Sequence, residues 1–223
     1  MPVDSSYAAF YYPWLEVPDL ATGGRQLVPP GGHVLGVYAS TDEERGVFQA
    51  PANRTIEGAL DLEFDLRDHE LQAISLHGVN PIMRSPQGDI RIWGARTLSF
   101  DALWKYVNLR RLFIFLERSI YESTQWVVFE RNDAKLWARL VHSIQLFLQR
   151  QWRDGALLGH TGKEAFFVTC DETVMTQDDV QNGRLICEIG IAAVRPAEFV
   201  IFRIFLTTSE AVNGAANRPK NAL

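Results

Sequence analysis

The stretch Gly159-His-Thr-Gly-Lys-Glu offers the glycine and lysine of a phosphate-cradling loop, in which backbone N–H groups and an ammonium hold nucleotide phosphates. The rest of that motif is missing. Leu157 stands where the first glycine must be, and Glu164 stands where Ser or Thr must ligate magnesium. His69 and His77 fall on roughly one face of a predicted helix, but no His, Cys or carboxylate at i+4 completes a ligand set. With His33, His142 and His160 they read as scattered surface or capping histidines. Asp171-Glu-Thr and Asp178-Asp179 are the densest carboxylates near a strand end, a type that binds calcium or moves protons. They border a turn-rich segment, the setting of a solvated loop. Cys170 and Cys187 each lie in an apolar strand-like run and read as buried thiols, with a cross-strand disulfide or a reactive thiol as the alternatives. Gly-x-Ser-x-Gly does not occur, and neither cysteine has a histidine nearby in sequence. No catalytic, cofactor or metal residue is assigned, and the chain does not read as an enzyme. A small α/β enzyme with no recognisable motif is the alternative of another class.

The elements that must position any site follow from hydrophobic period. Tyr7 to Val17 suits a strand, with Pro13 confining it to an edge or a strand end. Pro29 and Pro30 open a helix that places Val34, Tyr38 and Ala39 near one face. A short amphipathic helix runs from Asp68 to His77, with Leu71, Ile74 and Leu76 inward and Gly78 as its stop. Pro81–Arg84 and Asp89–Gly94 flank Ser85-Pro-Gln-Gly as a β-hairpin. Asp101 to Glu122 reads as a long helix carrying Leu103, Tyr106, Leu109, Phe113, Leu116 and Ile120. Gln125–Glu130 reads as a short buried strand, and Asn132 as the cap of a second long helix with Leu136, Leu140, Ile144, Leu148 and Trp152 every four residues. The last third turns β-rich, in Ala165–Cys170, Arg184–Ala192 and Glu198–Leu206. The fold class is therefore α+β (mixed α/β): two long helices on a mixed β-sheet core, with extended N- and C-terminal arms. The predicted division is an arm over 1–27, a core domain over 28–206, and a disordered tail over 207–223.

Composition narrows the partners. The chain has 223 residues, 47% of them hydrophobic and 22% charged, enough for a proper core. A net charge of −5 argues against nucleic-acid binding, which draws on cationic contacts to phosphate. No apolar run reaches the ~18 residues of a membrane-spanning helix, so no membrane insertion is expected. Met1-Pro-Val-Asp-Ser-Ser has no basic region followed by an apolar stretch and is not a signal peptide, which places synthesis in the cytoplasm.

Several stretches, in order and in register from about Tyr7 to Phe205, carry a resemblance. They are Leu27-Val-Pro-Pro-Gly-Gly-His-Val-Leu-Gly-Val-Tyr through Asn53, Ile90-Arg-Ile-Trp-Gly-Ala-Arg-Thr-Leu and Tyr106-Val-Asn-Leu-Arg-Arg-Leu. Thr124-Gln-Trp-Val-Val-Phe-Glu, Trp152-Arg-Asp-Gly-Ala-Leu and Glu188 through Ile204 complete the set. Together they resemble the conserved core of the phage tail sheath family, which includes R-type pyocins and other contractile injection systems. The resemblance implies a sheath subunit in a phage tail or tail-like particle made by bacteria. Such a subunit polymerises around an inner tube and contracts to drive the tube through a target envelope. A sheath-like cap or baseplate adaptor is the alternative within that class. Implied partners are neighbouring sheath subunits, the inner tube protein, and baseplate and tail-terminator proteins. Members carry further domains upstream of this region, so the sequence reads as a fragment of a longer protein or an unusually short sheath.

In this family terminal arms add strands to a neighbour's sheet, where backbone pairing gives affinity and alternating side chains fix register. Two segments fit that role. One is Ser6–Tyr12, with Tyr7, Phe10, Tyr11 and Tyr12. The other is Phe199–Phe205, in which Phe199, Ile201, Arg203 and Phe205 alternate with Val200, Phe202 and Ile204. The alternative for the second is pairing inside its own domain. Tube contact is expected to be electrostatic, through Lys105, Arg110, Arg111 and Arg118. A solvated or intradomain charged face is the competing reading of those four.

Overall fold

In the computed structural model the described residues are 3–196. In chain order the elements are β1 (Phe10–Tyr12), β2 (Leu15–Pro18), β3 (Arg25–Val28), α1 (Gly31–Arg45), β4 (Arg54–Thr55), β5 (Asp61–Leu62), α2 (Asp68–Leu76), β6 (Val79–Arg84) and β7 (Ile90–Ile92). They continue as α3 (Val107–Ser123), α4 (Ala134–Arg153), α5 (Gly162–Ala165), β8 (Phe166–Thr169), α6 (Gln177–Gln181) and β9 (Glu188–Ile191). The strands form a four-stranded mixed sheet in the order β1-β6-β7-β4, a three-stranded sheet in the order β3-β2-β5, and a β8-β9 ribbon. This is the mixed α+β architecture that the periodicities predict.

Two apolar clusters hold it. The first gathers Leu15, Val17, Val34, Val37, Ile82, Ile90 and Ile92 from the two larger sheets and α1. The proline pair suits the entry to α1, where Pro30 precedes the first helical residue at φ −72. The inward face of α1 is Val34, Val37 and Thr41, with Tyr38 partly buried; Ala39, expected inside, is exposed. The second cluster surrounds α4. Leu136, Leu140, Ile144 and Leu148 recur every four residues and are all buried, packing against Leu112 and Leu116 of α3 and Val168 of β8. Burying each such side chain contributes about 1.5–3 kcal/mol, which makes this stripe the main anchor of the helical layer.

Several boundaries differ from the sequence reading. Residues 3–27 pack within the chain: Leu15 is fully buried in the first cluster, and β2 pairs with both β3 and β5. The first long helix begins at Val107 rather than Asp101. A short 3-10 turn over Ala102–Trp104 precedes it, with Leu103 left outside at 60% exposure. Tyr106 then returns to extended backbone and bridges to Arg96, which breaks the helix there. The predicted strand at Gln125–Glu130 is a 3-10 turn at Gln125–Val127, followed by exposed Val128 and Phe129. Its apolar run misled because Trp126 and Val127 pack sideways onto the α4 cluster without pairing. Asp133, not Asn132, caps α4 by accepting a hydrogen bond from the Leu136 N–H at 2.9 Å. Asn132 holds Trp137 Nε1 and the Arg184 carbonyl instead. Leu76 of α2 is 75% exposed, contrary to its expected inward place.

Candidate assembly surface

The basic residues of α3 do not share one free face. The Arg110 guanidinium is buried between two rings, 3.4 Å from the Trp104 centroid and 4.4 Å from that of Tyr7. Arg111 makes a two-pronged ion pair with Asp42 of α1, at 2.9 and 2.5 Å, and lies over the Tyr38 ring. Asn108 donates to the Phe48 carbonyl at 2.9 Å, and the Val107 N–H to the Ala95 carbonyl. Tyr106-Val-Asn-Leu-Arg-Arg-Leu is thus the joint at which the start of α3 is bolted to α1, to the loop after it and to the N-terminal segment. Arg118 is different: it stays exposed while pairing with Glu122 one turn on. Lys105 is half-buried and donates to the Tyr106 hydroxyl.

The N-terminal segment expected to reach a neighbour is seated in its own chain. β1 pairs in parallel with β6, Phe10 opposite Val79 and Tyr12 opposite Pro81. Tyr11 shares a 2.6 Å hydrogen bond with Tyr38, and burial pushes the pKa of both hydroxyls up. The physical reason is Asn80, fully buried in β6, whose amide donates to the Phe10 and Arg96 carbonyls and accepts from the Arg96 N–H at 2.6 Å. Without β1 a buried polar side chain loses a partner. This knot also explains Gly94 in the Ile-Trp-Gly-Ala-Arg stretch: a Cβ there meets Asn80 Oδ1 at 2.7 Å and its Cα at 3.0 Å. Sequence reasoning passed over both Asn80 and Asn108. An Asn within an apolar strand or at a helix start far from any turn was the available signal.

The β8-β9 ribbon is the open structure. Phe166 to Thr169 pair antiparallel with Ile191 to Glu188. Beyond β9 the chain bridges at Ala193 to Leu157, and the Leu158 N–H reaches the Ala192 carbonyl at 2.7 Å. Among the described residues no third strand joins the ribbon. Its inner face packs on α4, while Phe167 is 57% exposed. A two-stranded ribbon is marginal alone and presents unpaired backbone groups along its edges. Phe199–Phe205, the second expected arm, lies outside the described residues, as does the tail over 207–223.

The remaining candidate chemistry resolves into structure. Glu164 folds back to accept from the His160 N–H at 2.9 Å, and Trp152 Nε1 donates to the Gly159 carbonyl, so the glycine-lysine stretch is a capped turn. Asp178 and Asp179 both hold Arg184, and Asp179 also caps α6 through Thr176, which brings its pKa down to about 2. Among the described residues no group of His, Cys, Asp and Glu could hold a metal ion. An open cleft of about 690 Å³ runs beside Gly32, Gly36 and Ser40 of α1. Two of its arginines are engaged in ion pairs, Arg54 with Glu44 and Arg91 with Asp89, and His33 and Glu57 also line it. Cys170 and Cys187 are free thiols that pack in the same apolar cluster.

Comparison with known proteins supplies the context for this surface. The family model described as the phage tail sheath protein central domain matches residues 1–98, and that of the phage tail sheath C-terminal domain matches residues 99–207. A putative prophage major tail sheath protein of Pseudomonas aeruginosa strain UCBPP-PA14 is 26% identical over 200 residues, covering 87% of this chain and 50% of that protein. The chain thus spans about half the length of that relative. Among solved structures, a chain of the anti-feeding prophage baseplate superposes with a TM-score of 0.85 at 38% identity, covering 92% of this chain and 56% of that one. The PVC sheath complex of an extracellular contractile injection system, in its contracted state, gives 0.86 at 36% identity, covering 94% and 58%.

Proposed function

Because this chain belongs to the phage tail sheath family, whose members are structural proteins rather than enzymes, we propose that it is the conserved part of a sheath subunit. In this reading it is made in the bacterial cytoplasm and assembles around an inner tube in a phage tail or tail-like particle. There it contracts to drive the tube outward. The observation that carries the reading is the β8-β9 ribbon, a packed sheet with open edges, in a chain whose last apolar stretch, Phe199–Phe205, has a strand-forming sequence and lies outside the described residues. Phe199, Val200, Ile201, Phe202, Arg203, Ile204 and Phe205 supply the added strand on a neighbour's ribbon. Apolar residues on both of its faces need cover on both sides, which an inserted strand receives and a free one does not. Tube contact is through exposed basic side chains such as Arg118. Arg110 and Arg111 hold the start of α3 in place.

Amide hydrogen exchange tests the strand addition. A chain ending at Ala197 is measured with and without a solubilised peptide spanning residues 198–206. Slowed exchange confined to β8 and β9 supports the reading. Unchanged exchange there, with peptide bound elsewhere or not at all, overturns it.

A further inference from the structure

Antiparallel pairing of β8 with β9 puts Thr169 opposite Glu188. The ladder ends there, and its register continued by one step sets Cys170 opposite Cys187. Directly opposed residues of an antiparallel pair have Cα atoms about 4.5–5.5 Å apart, inside the range a disulfide spans. Both thiols belong to the cluster around α4, and each lies near enough to influence the other's ionisation. The pair is asymmetric: Cys170 is buried and Cys187 is half-buried. Between the two cysteines lies the segment that carries α6 and the Asp178–Asp179–Arg184 ion pairs.

We propose that Cys170 and Cys187 form a disulfide site, reduced when the chain is made and closed on exposure to a low-molecular-weight disulfide. The more accessible Cys187 thiolate attacks a sulfur of the small disulfide and expels one small thiol, giving a mixed disulfide. The Cys170 thiolate then attacks the Cys187 sulfur and expels the second small thiol. Two protein thiols are oxidised, one small disulfide is reduced to two thiols, and the two protons pass to the leaving thiolates. Burial, then the neighbouring thiol, pushes Cys170 up to about 11, and burial also raises Cys187. The thiolate is the nucleophile, so closure is slow near neutrality and quickens as pH rises. The bridge tethers the ribbon at one end and fixes its register. It stands independently of the proposed strand addition.

The test incubates the full chain with oxidised glutathione, alkylates the remaining thiols and maps peptides. Closure leaves neither thiol alkylatable, links the Cys170 and Cys187 peptides within one chain, and makes the intact mass about 2 Da lighter. It also raises Tm on the order of 5–10 °C, and a reducing dithiol reverses the shift. Cys170→Ser stops at the glutathione adduct on Cys187 without that shift. A folded wild-type chain that retains both thiols, holds a stable glutathione adduct, or links only between chains overturns the proposal.

Discussion

Asn80 and Gly94 occupy complementary positions: the buried amide joins three stretches of backbone, and the missing Cβ leaves room for it. Gly94→Ala therefore costs about 1–3 kcal/mol by overpacking, measured by chemical denaturation, although alanine is ordinarily the mildest replacement. Arg111 and Arg118 separate by the same kind of reasoning. Arg111→Glu sets a carboxylate against Asp42 in a half-buried pair and lowers stability by about 2 kcal/mol. Arg118→Glu leaves Tm nearly unchanged and weakens binding to the tube protein. If both charge reversals left stability alone, the assignment of Arg111 to the α1–α3 joint would fail. Titration adds a pH dependence. Asp179, held by Thr176 and Arg184, has its pKa brought below the ordinary carboxylate value. Its contribution is complete above the unfolded pKa of about 4 and is lost as pH falls toward 2. Amide protection across α6, taken relative to intrinsic exchange at each pH, accordingly falls through that window in the wild type, and much less so in Asp179→Asn, which is already loosened at neutral pH.

At the scale of elements, the α4 stripe was legible because its period is strict and both faces are unambiguous. Leu148→Ala is expected to cost about 2–5 kcal/mol, while Leu146→Ala, on the opposite and exposed face, stays within about 0.5 kcal/mol. Equal losses at the two positions would refute the orientation of the helix. The sequence reading faltered where tertiary contacts override local pattern. Tyr106 fits the helical spacing, yet its bridge to Arg96 delays α3. Trp126 and Val127 look like a buried strand because sideways packing and strand pairing demand the same residue types. The seating of β1 depended on Asn80, some seventy positions away, and no local window carries that information. The hairpin of β6 and β7 was readable because Ser85-Pro-Gln-Gly is a turn by its own chemistry.

At the scale of the whole molecule, the family resemblance lay in the order of several weak stretches, and the structure gives some of them physical reasons. One is the α3 joint, another the Asn80 knot, and a third the end of α4 with its Trp152–Gly159 bond. All three tie neighbouring parts of this chain together. Under the proposed function, movement during contraction then falls to the connections between subunits. The last apolar stretch is the connection the account depends on. The most direct measurement is negative-stain electron microscopy of the intact chain with its tube protein, beside a version ending at Ala197. The account predicts rings or sheathed tubes from the intact chain and isolated subunits from the truncated one. Equal assembly by both versions would contradict strand addition as the link between subunits.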